Sequence, residues 1–169
     1  TLKSHWVMVV MDQCTRRIIG FGIHAGVLDG PAIGRMFGLA IAGCGTPTCL
    51  SCDNDPLFRY HQWKANLRII NVSPVKTVPY VPLSHPFVER LIGTVRREFL
   101  DQVPFWCARD LDRKLRLFRE YFNQQRTHRS LDGVPPAEQN AIPNRKVARL
   151  DDYRWKKHCR GLYQLPEAA

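Results

Sequence analysis

Two carboxylates stand where an acidic side chain could bind a metal ion. Asp53 follows residues 48–52, a short apolar stretch that predicts a buried strand, and α/β sheets usually present functional side chains where such strands end. Glu89 lies in the first turn and a half of a predicted helix. Arg96 comes two turns later on the same face, with Gly93 leaving space between them. Because carboxylates bind hard divalent cations and arginine binds phosphate, this pattern predicts a metal-and-phosphate surface.

Each of these residues also has an ordinary structural interpretation. An acid after a strand is often only a helix cap, and for Asp53 the two interpretations are equally open. An exposed helical glutamate such as Glu89 is, taken alone, more commonly just solvated, and the neighbouring basic pair Arg96–Arg97 fits the same description. The functional interpretation therefore depends on the combination and not on either acid by itself.

The elements that must position these acids follow an α/β pattern. Runs of β-branched and aromatic residues predict strands, and apolar residues at helical spacing, capped by Asp29, Asp55 and Ser84, predict helices. The order is a hairpin, then alternating helices and strands, then two longer helices. This order predicts helices packed on a mixed sheet. The predicted elements are a hairpin over 5–25, helices over 32–42, 56–67, 84–101 and 108–124, strands over 48–52 and 68–72, and an extended segment over 155–165.

Composition limits the class of partner. The 169 residues carry a formal net charge of +10, which favours a polyanion, with nucleic acid ahead of a membrane surface. No apolar run reaches the roughly 20 residues of a membrane span. The six cysteines lack the spacing of a secreted disulfide framework, so we expect reduced, buried thiols in a cytosolic protein. The spacing of Cys49 and Cys52 could also suit zinc, but side chains three apart in a strand diverge, which disfavours that interpretation.

Four segments together resemble the superfamily of retroviral integrases and insertion-sequence transposases. CDNDPLFRYHQW resembles its D-N-G-x-x-F strand end, and VPYVPLSHPFVERLIGTVRREF its catalytic-helix block. YFNQQRTHRSLDGVPPAE resembles its closing block, and VVMDQCTRRIIGF its second strand. The 35 residues between Asp53 and Glu89 equal the spacing of the superfamily's D,D-35-E signature. The matched segments cover roughly residues 5–140 in the right order.

The resemblance implies a fold, a chemistry and a set of residues. The fold would be RNase H-like, with a mixed central sheet flanked by helices, and residues 1–142 would form the catalytic core ahead of a basic extension, 143–169. Asp53 and Glu89 would hold a two-ion site for Mg²⁺ or Mn²⁺, and Arg90, Arg96 and Arg97 would contact DNA. The activity would be nicking and strand transfer on double-stranded DNA by a homo-oligomer, near the nucleoid in a bacterial cytoplasm.

This sequence also departs from the superfamily pattern. Asp55 and Pro86 stand where glycine is usual or common, which could reshape the loops near the metals. The superfamily's first catalytic aspartate lies on a strand that would precede Thr1, so Asp12 is interpreted as a structural acid and the chain as a fragment of low activity. Two alternatives remain open, a nuclease or resolvase on the same fold and a non-catalytic DNA-binding assembly module of a decayed element. Sequence alone assigns neither the target site nor the oligomeric state.

Overall fold

The computed structural model describes residues 4–52, 55–75, 86–138 and 153–168. Strands within them form three pairs, of which β1–β2 and β5–β6 are antiparallel and β3–β4 is parallel. The helices are α1 (Gly30–Ile41), α2 (His61–Ile69), α3 (Pro86–Thr94, continued by a π-helical turn, Val95–Leu100) and α4 (Ala108–Gln124). The strands are β1 (His5–Met11), β2 (Ile18–Ala25), β3 (Cys49–Ser51), β4 (Ser73–Val75), β5 (Tyr153–His158) and β6 (Tyr163–Ala168).

The hairpin β1–β2 packs on α1 through glycine. A Cβ on Gly20 or Gly22 would overlap a backbone carbonyl of α1, so these two positions let the strand and helix backbones approach closely. Asp29 caps α1 as predicted, because its carboxylate accepts a hydrogen bond of 2.7 Å from the Ala32 amide. The predicted hairpin and first helix are both confirmed.

The middle of the chain departs from the prediction in two places. Asp55 caps a short 3₁₀ helix, Pro56–Arg59, and an extended Tyr60 separates it from α2, where one continuous helix was predicted. The strand predicted over 68–72 is wrong, since α2 runs to Ile69 and the strand begins at Ser73. Ile69 is 80% exposed, so that apolar run does not mark a buried strand.

The two long helices form the larger core. Leu91, Val95 and Phe99 of α3 and its π turn pack with the α4 stripe of Leu111, Leu115, Phe118 and Phe122, as their spacing predicts. Asn123 then ties α4 to β2. Its side-chain oxygen accepts from the Ile18 amide and its nitrogen donates to the Ile18 carbonyl, both at 2.9 Å. A smaller cluster around Trp63 joins α1 to α2.

Two expectations from composition can be compared with the structure. All six cysteines are free thiols, but Cys14, Cys44, Cys49 and Cys107 are exposed and only Cys159 is buried, so the expectation of buried thiols is wrong for most of them. Among the described residues, no helix combines the length and apolarity that crossing a bilayer requires.

Candidate functional site: a cleft beside the Glu89 helix

A cleft of about 1020 Å³ lies between the two strand pairs of the core. Every residue from Val7 to Cys14 lines it, as does every residue from Cys49 to Cys52. Since consecutive side chains of a strand point to opposite faces, a cleft that touches all of them runs along the edge of β1 and along β3. Among the described strands, β1 pairs only with β2, on its other edge.

Glu89 lines this cleft from α3 and is itself exposed. The start of the helix is fixed by a contact two residues earlier. The Arg16 guanidinium, in the turn between β1 and β2, lies 3.2 Å from the centre of the Phe87 ring. This cation–π contact joins the hairpin turn to the first turn of α3, and so holds Glu89 at the same end of the cleft as that turn.

The structure describes only one of the two predicted ligands, since Asp53 lies outside the described residues. Cys52, the residue before it in the sequence, lines the same cleft as Glu89. The described residues contain no group of three or more histidine, cysteine, aspartate or glutamate side chains placed to hold a metal ion.

Asp12 also borders the cleft, but both of its carboxylate oxygens are engaged locally. They accept hydrogen bonds of 2.6 Å from the Thr15 hydroxyl and 2.9 Å from the Cys14 amide. The Thr15 hydroxyl, followed by the backbone amides, lowers the pKa of Asp12. These contacts close the β1–β2 turn, which is what a structural acid at this position would do.

The predicted DNA-contacting arginines lie along α3 and its π turn. Arg90, Arg96 and Arg97 are all exposed. A Cβ on Gly93 would lie 3.1 Å from an Arg97 guanidinium nitrogen, so Arg97 occupies the space that the glycine leaves. Positions 89, 93 and 97 follow one i, i+4 row, and Arg97 therefore extends back along the row that carries Glu89.

Sequence reasoning missed the ion pair that holds the other end of this helix. Arg126 donates two hydrogen bonds, of 2.9 and 2.7 Å, to the two carboxylate oxygens of Glu98. The Glu98 partner raises the pKa of Arg126. Arg126 belongs to the closing block that resembles the superfamily, so the sequence marks it as a residue of interest. The local sequence pattern does not indicate that its partner is Glu98, 28 residues away.

His128 of the same block is a packing residue in this structure. Its ring meets Phe122 edge to face with centroids 4.6 Å apart, and its Nε2 is buried with no hydrogen-bond partner among the described residues. Burial is the main reason that the pKa of His128 is lowered, and the Arg126 cation adds to it. This environment fits a structural role better than a catalytic one, since the ring packs on Phe122 of the core and does not line the cleft.

Both the sequence and the fold are similar to those of known proteins. Residues 71–136 match the family model described as an integrase core domain. An uncharacterised 39.2 kDa protein of insertion element IS476 from Xanthomonas euvesicatoria is 24% identical over 131 residues. That match covers 78% of this chain but 38% of the relative, so the chain spans well under half of the relative's length.

Solved structures show the same fold. A chain of the simian T-cell lymphotropic virus intasome in complex with PP2A regulatory subunit B56 gamma matches with a TM-score of 0.61 at 17% identity, over 99% of this chain and 68% of that one. The catalytic core of BIV integrase matches with a TM-score of 0.53 at 18% identity, over 80% and 88%. The HTLV-2 integrase catalytic core, solved with magnesium as a dimer, gives 0.55 at 15%, over 83% and 92%.

These findings establish the fold. The chain has an α/β, RNase H-like fold, as its sequence motifs implied, and residues 71–136 are similar to an integrase core domain. Similarity extends both to retroviral integrases and to a protein of a bacterial insertion element.

Proposed function

We propose that this chain is the catalytic core of a DNA transposase or integrase that nicks double-stranded DNA and transfers its strands. The observation that carries the proposal is the shared cleft, in which Glu89 and the residue next to Asp53 face one space. The integrase core match over residues 71–136 and the insertion-element relative support the same class of activity. We propose that it acts at the bacterial nucleoid.

The proposed metal ligands fit the chemistry of Mg²⁺ or Mn²⁺. Asp53 and Glu89 supply carboxylate oxygens, which hard divalent ions prefer, and the exposed position of Glu89 leaves its carboxylate accessible. Two such ions, when bound, activate an attacking oxygen and neutralise the leaving oxygen in phosphodiester transfer. Within the chain, Arg90, Arg96 and Arg97 would hold the phosphates of the reacting strand against the Glu89 face.

The open edge of β1 suggests where a third carboxylate would enter. The resemblance implies that the first catalytic aspartate would lie on a strand ahead of Thr1. A strand lying in the cleft would pair with the open edge of β1 and meet the apolar side chains that line the space. We therefore propose that a longer chain inserts this strand between the two pairs, and that residues 1–169 alone are weakly active.

Glu89→Gln in an N-terminally extended chain tests the proposal. We expect nicking and joining of labelled duplex DNA in Mn²⁺ to fall by about 100-fold or more, since even a partner behind a metal ligand costs 10–100-fold. Affinity for the duplex should stay within about twofold, because the arginines supply that binding. Glu120→Gln is the matched control, as Glu120 is exposed on α4 and does not line the cleft.

The same assay separates the alternatives. Joining that is unchanged in Glu89→Gln would favour a non-catalytic DNA-binding module, and cleavage of RNA–DNA hybrids in place of duplex DNA would favour a hybrid nuclease. Strong joining activity in residues 1–169 without the extension would contradict the proposed third ligand. Anomalous diffraction from Mn²⁺-soaked crystals, with Glu89→Gln as the comparison, reports metal binding without relying on activity.

A further inference from the structure

The hairpin β5–β6 has one face on the core and one face in solvent. Directly opposed residues of an antiparallel pair lie on the same face. His158 is opposed to Tyr163, and Lys156 to Leu165, and both Tyr163 and Leu165 pack against the larger core cluster. Side chains alternate along a strand, so Trp155 and Lys157 of β5 point away from the core, as do the residues opposite them on β6.

The core-facing side is anchored firmly. The Tyr163 ring stacks on Tyr121 with centroids 4.2 Å apart and planes 4° from parallel. Its hydroxyl donates a hydrogen bond of 2.5 Å to the Glu98 carbonyl, and burial raises the pKa of Tyr163 to about 12, so the phenol remains a donor at neutral pH. Cys159, at the start of the connecting turn, is buried in the same cluster. The hairpin is thus fixed to the helix that carries Glu89.

The outward side joins an aromatic ring to cations. Trp155 is opposed to Pro166 and Lys157 to Gln164, so the indole and the ammonium group are neighbours on this face. Trp155 is 67% exposed. Arg160 is exposed in the turn, where both it and the buried Cys159 before it have a left-handed backbone, with φ of 60° and 50°.

Charge on the hairpin is strongly positive. Residues 154–167 contain four arginine or lysine residues against one acid, Glu167. That acid pairs with Lys156 at 2.9 Å, which is the hairpin's ion pair among the described residues. Lys157 and Arg160 thus keep their charge available to an anionic partner, on a chain whose formal net charge is +10.

We infer that the outward face of β5–β6 binds a single-stranded polynucleotide, with a base stacked on Trp155 and phosphates held by Lys157 and Arg160. Nonspecific single-strand binding surfaces combine aromatic rings on which bases stack with cations that follow the backbone. A duplex offers phosphates to the cations but keeps its base faces stacked on each other, which leaves the indole without a partner. The inference needs no metal ion and none of the cleft residues, and so goes beyond the proposed nicking and joining activity.

Fluorescence anisotropy with a labelled 20-nucleotide oligothymidylate, in EDTA, tests the inference on the full chain. Trp155→Ala should weaken binding by about tenfold or more, given what one stacked base contributes, and Trp155→Phe should retain most of the affinity. Trp106→Ala is the matched control, because Trp106 is 88% exposed in the segment before α4. Its affinity should equal that of the unsubstituted chain.

A second pair of substitutions tests the role of the cations. Lys157→Ala combined with Arg160→Gly removes both charges, and glycine suits the left-handed turn. The slope of log affinity against log salt should fall by about 1.4, at roughly 0.7 for each phosphate of a single strand that the protein no longer neutralises. An oligouridylate of the same length distinguishes RNA from DNA as the strand that is preferred.

Three results would overturn the inference. Trp155→Ala could bind like Trp106→Ala, or the loss on Trp155→Ala could be as large for a 20-base-pair duplex as for the single strand. Alternatively, Trp155→Ala could release the chain from vesicles of anionic phospholipid while leaving oligonucleotide binding intact, which would identify a membrane contact. These binding measurements contain EDTA and require no catalysis. They can therefore be interpreted even if the proposed catalytic function fails its own test.

Discussion

Asn123→Ala should destabilise the fold more than the loss of one side-chain hydrogen bond would. The Asn123 amide satisfies both the amide and the carbonyl of Ile18, and both residues are buried, at 8% and 2% exposed. Alanine would leave two buried backbone groups without partners, at about 1–3 kcal/mol each, so we expect the free energy of unfolding to fall by about 2–6 kcal/mol. For a chain of this size that corresponds to a fall in Tm of about 4–24 °C.

Urea and thermal unfolding followed by circular dichroism measure this effect. Gln124→Ala is the matched control, since Gln124 is the next residue of the same helix and is exposed. The control should change the free energy of unfolding by less than about 0.5 kcal/mol, as surface substitutions usually do. If Asn123→Ala and Gln124→Ala were equally stable, the two hydrogen bonds to Ile18 would not hold β2 against α4, and the reasoning would be refuted.

Two further predictions concern packing and pH. Gly22→Ala should lower the free energy of unfolding by about 1–3 kcal/mol, because the added Cβ would overlap the Met36 carbonyl of α1. In Gly38→Ala of α1 the added Cβ meets nothing within 4 Å, so this change should raise the free energy of unfolding by about 0.5–1 kcal/mol. Equal effects of the two substitutions in urea unfolding would contradict this. Burial lowers the pKa of His128 from 6.5, so the fold favours its neutral form, and stability present above pH 6.5 should be lost as pH falls through the lowered pKa. Urea midpoints at pH 7.5 and 5.5 should therefore differ more for the unsubstituted chain than for His128→Gln, and parallel pH profiles would contradict the assignment.

The long helices could be predicted from sequence because their signal is local. Leu111, Leu115 and Phe118 recur at helical spacing, and that spacing alone indicates which face of α4 is buried. The β1–β2 hairpin could be predicted for the same reason, since its strands are adjacent in sequence.

Residues 68–72 show where local reasoning fails. A short apolar run fits a helix end as well as a strand, and here the helix continues until Asn71 adopts a left-handed conformation with φ of 55°. The strand that follows contains Pro74, which argues against a strand from sequence alone. Its pairing with β3 comes from residues more than 20 positions away, and such pairing is not encoded in the local pattern.

The candidate site divides in the same way. The spacing of Asp53 and Glu89 could be read from the sequence, but the cleft could not, because it is formed by the separation of two strand pairs. The π-helical turn after Thr94 was not predicted from the sequence either. The sequence spacing singled out Arg96, two turns after Glu89, whereas in the structure it is the Arg97 guanidinium that lies against Gly93.

The closing block that supported the resemblance acts through architecture. Asn123 hydrogen-bonds to the start of β2, and Arg126 forms an ion pair with Glu98, in the π turn that continues the Glu89 helix. The opposite end of that helix is held where Arg16 covers Phe87. A helix held at both ends keeps the exposed Glu89 carboxylate in one place, which the proposed metal site would need because ligand positions must be fixed before the ions bind. Residues of the closing block can therefore support the proposed site through structure alone.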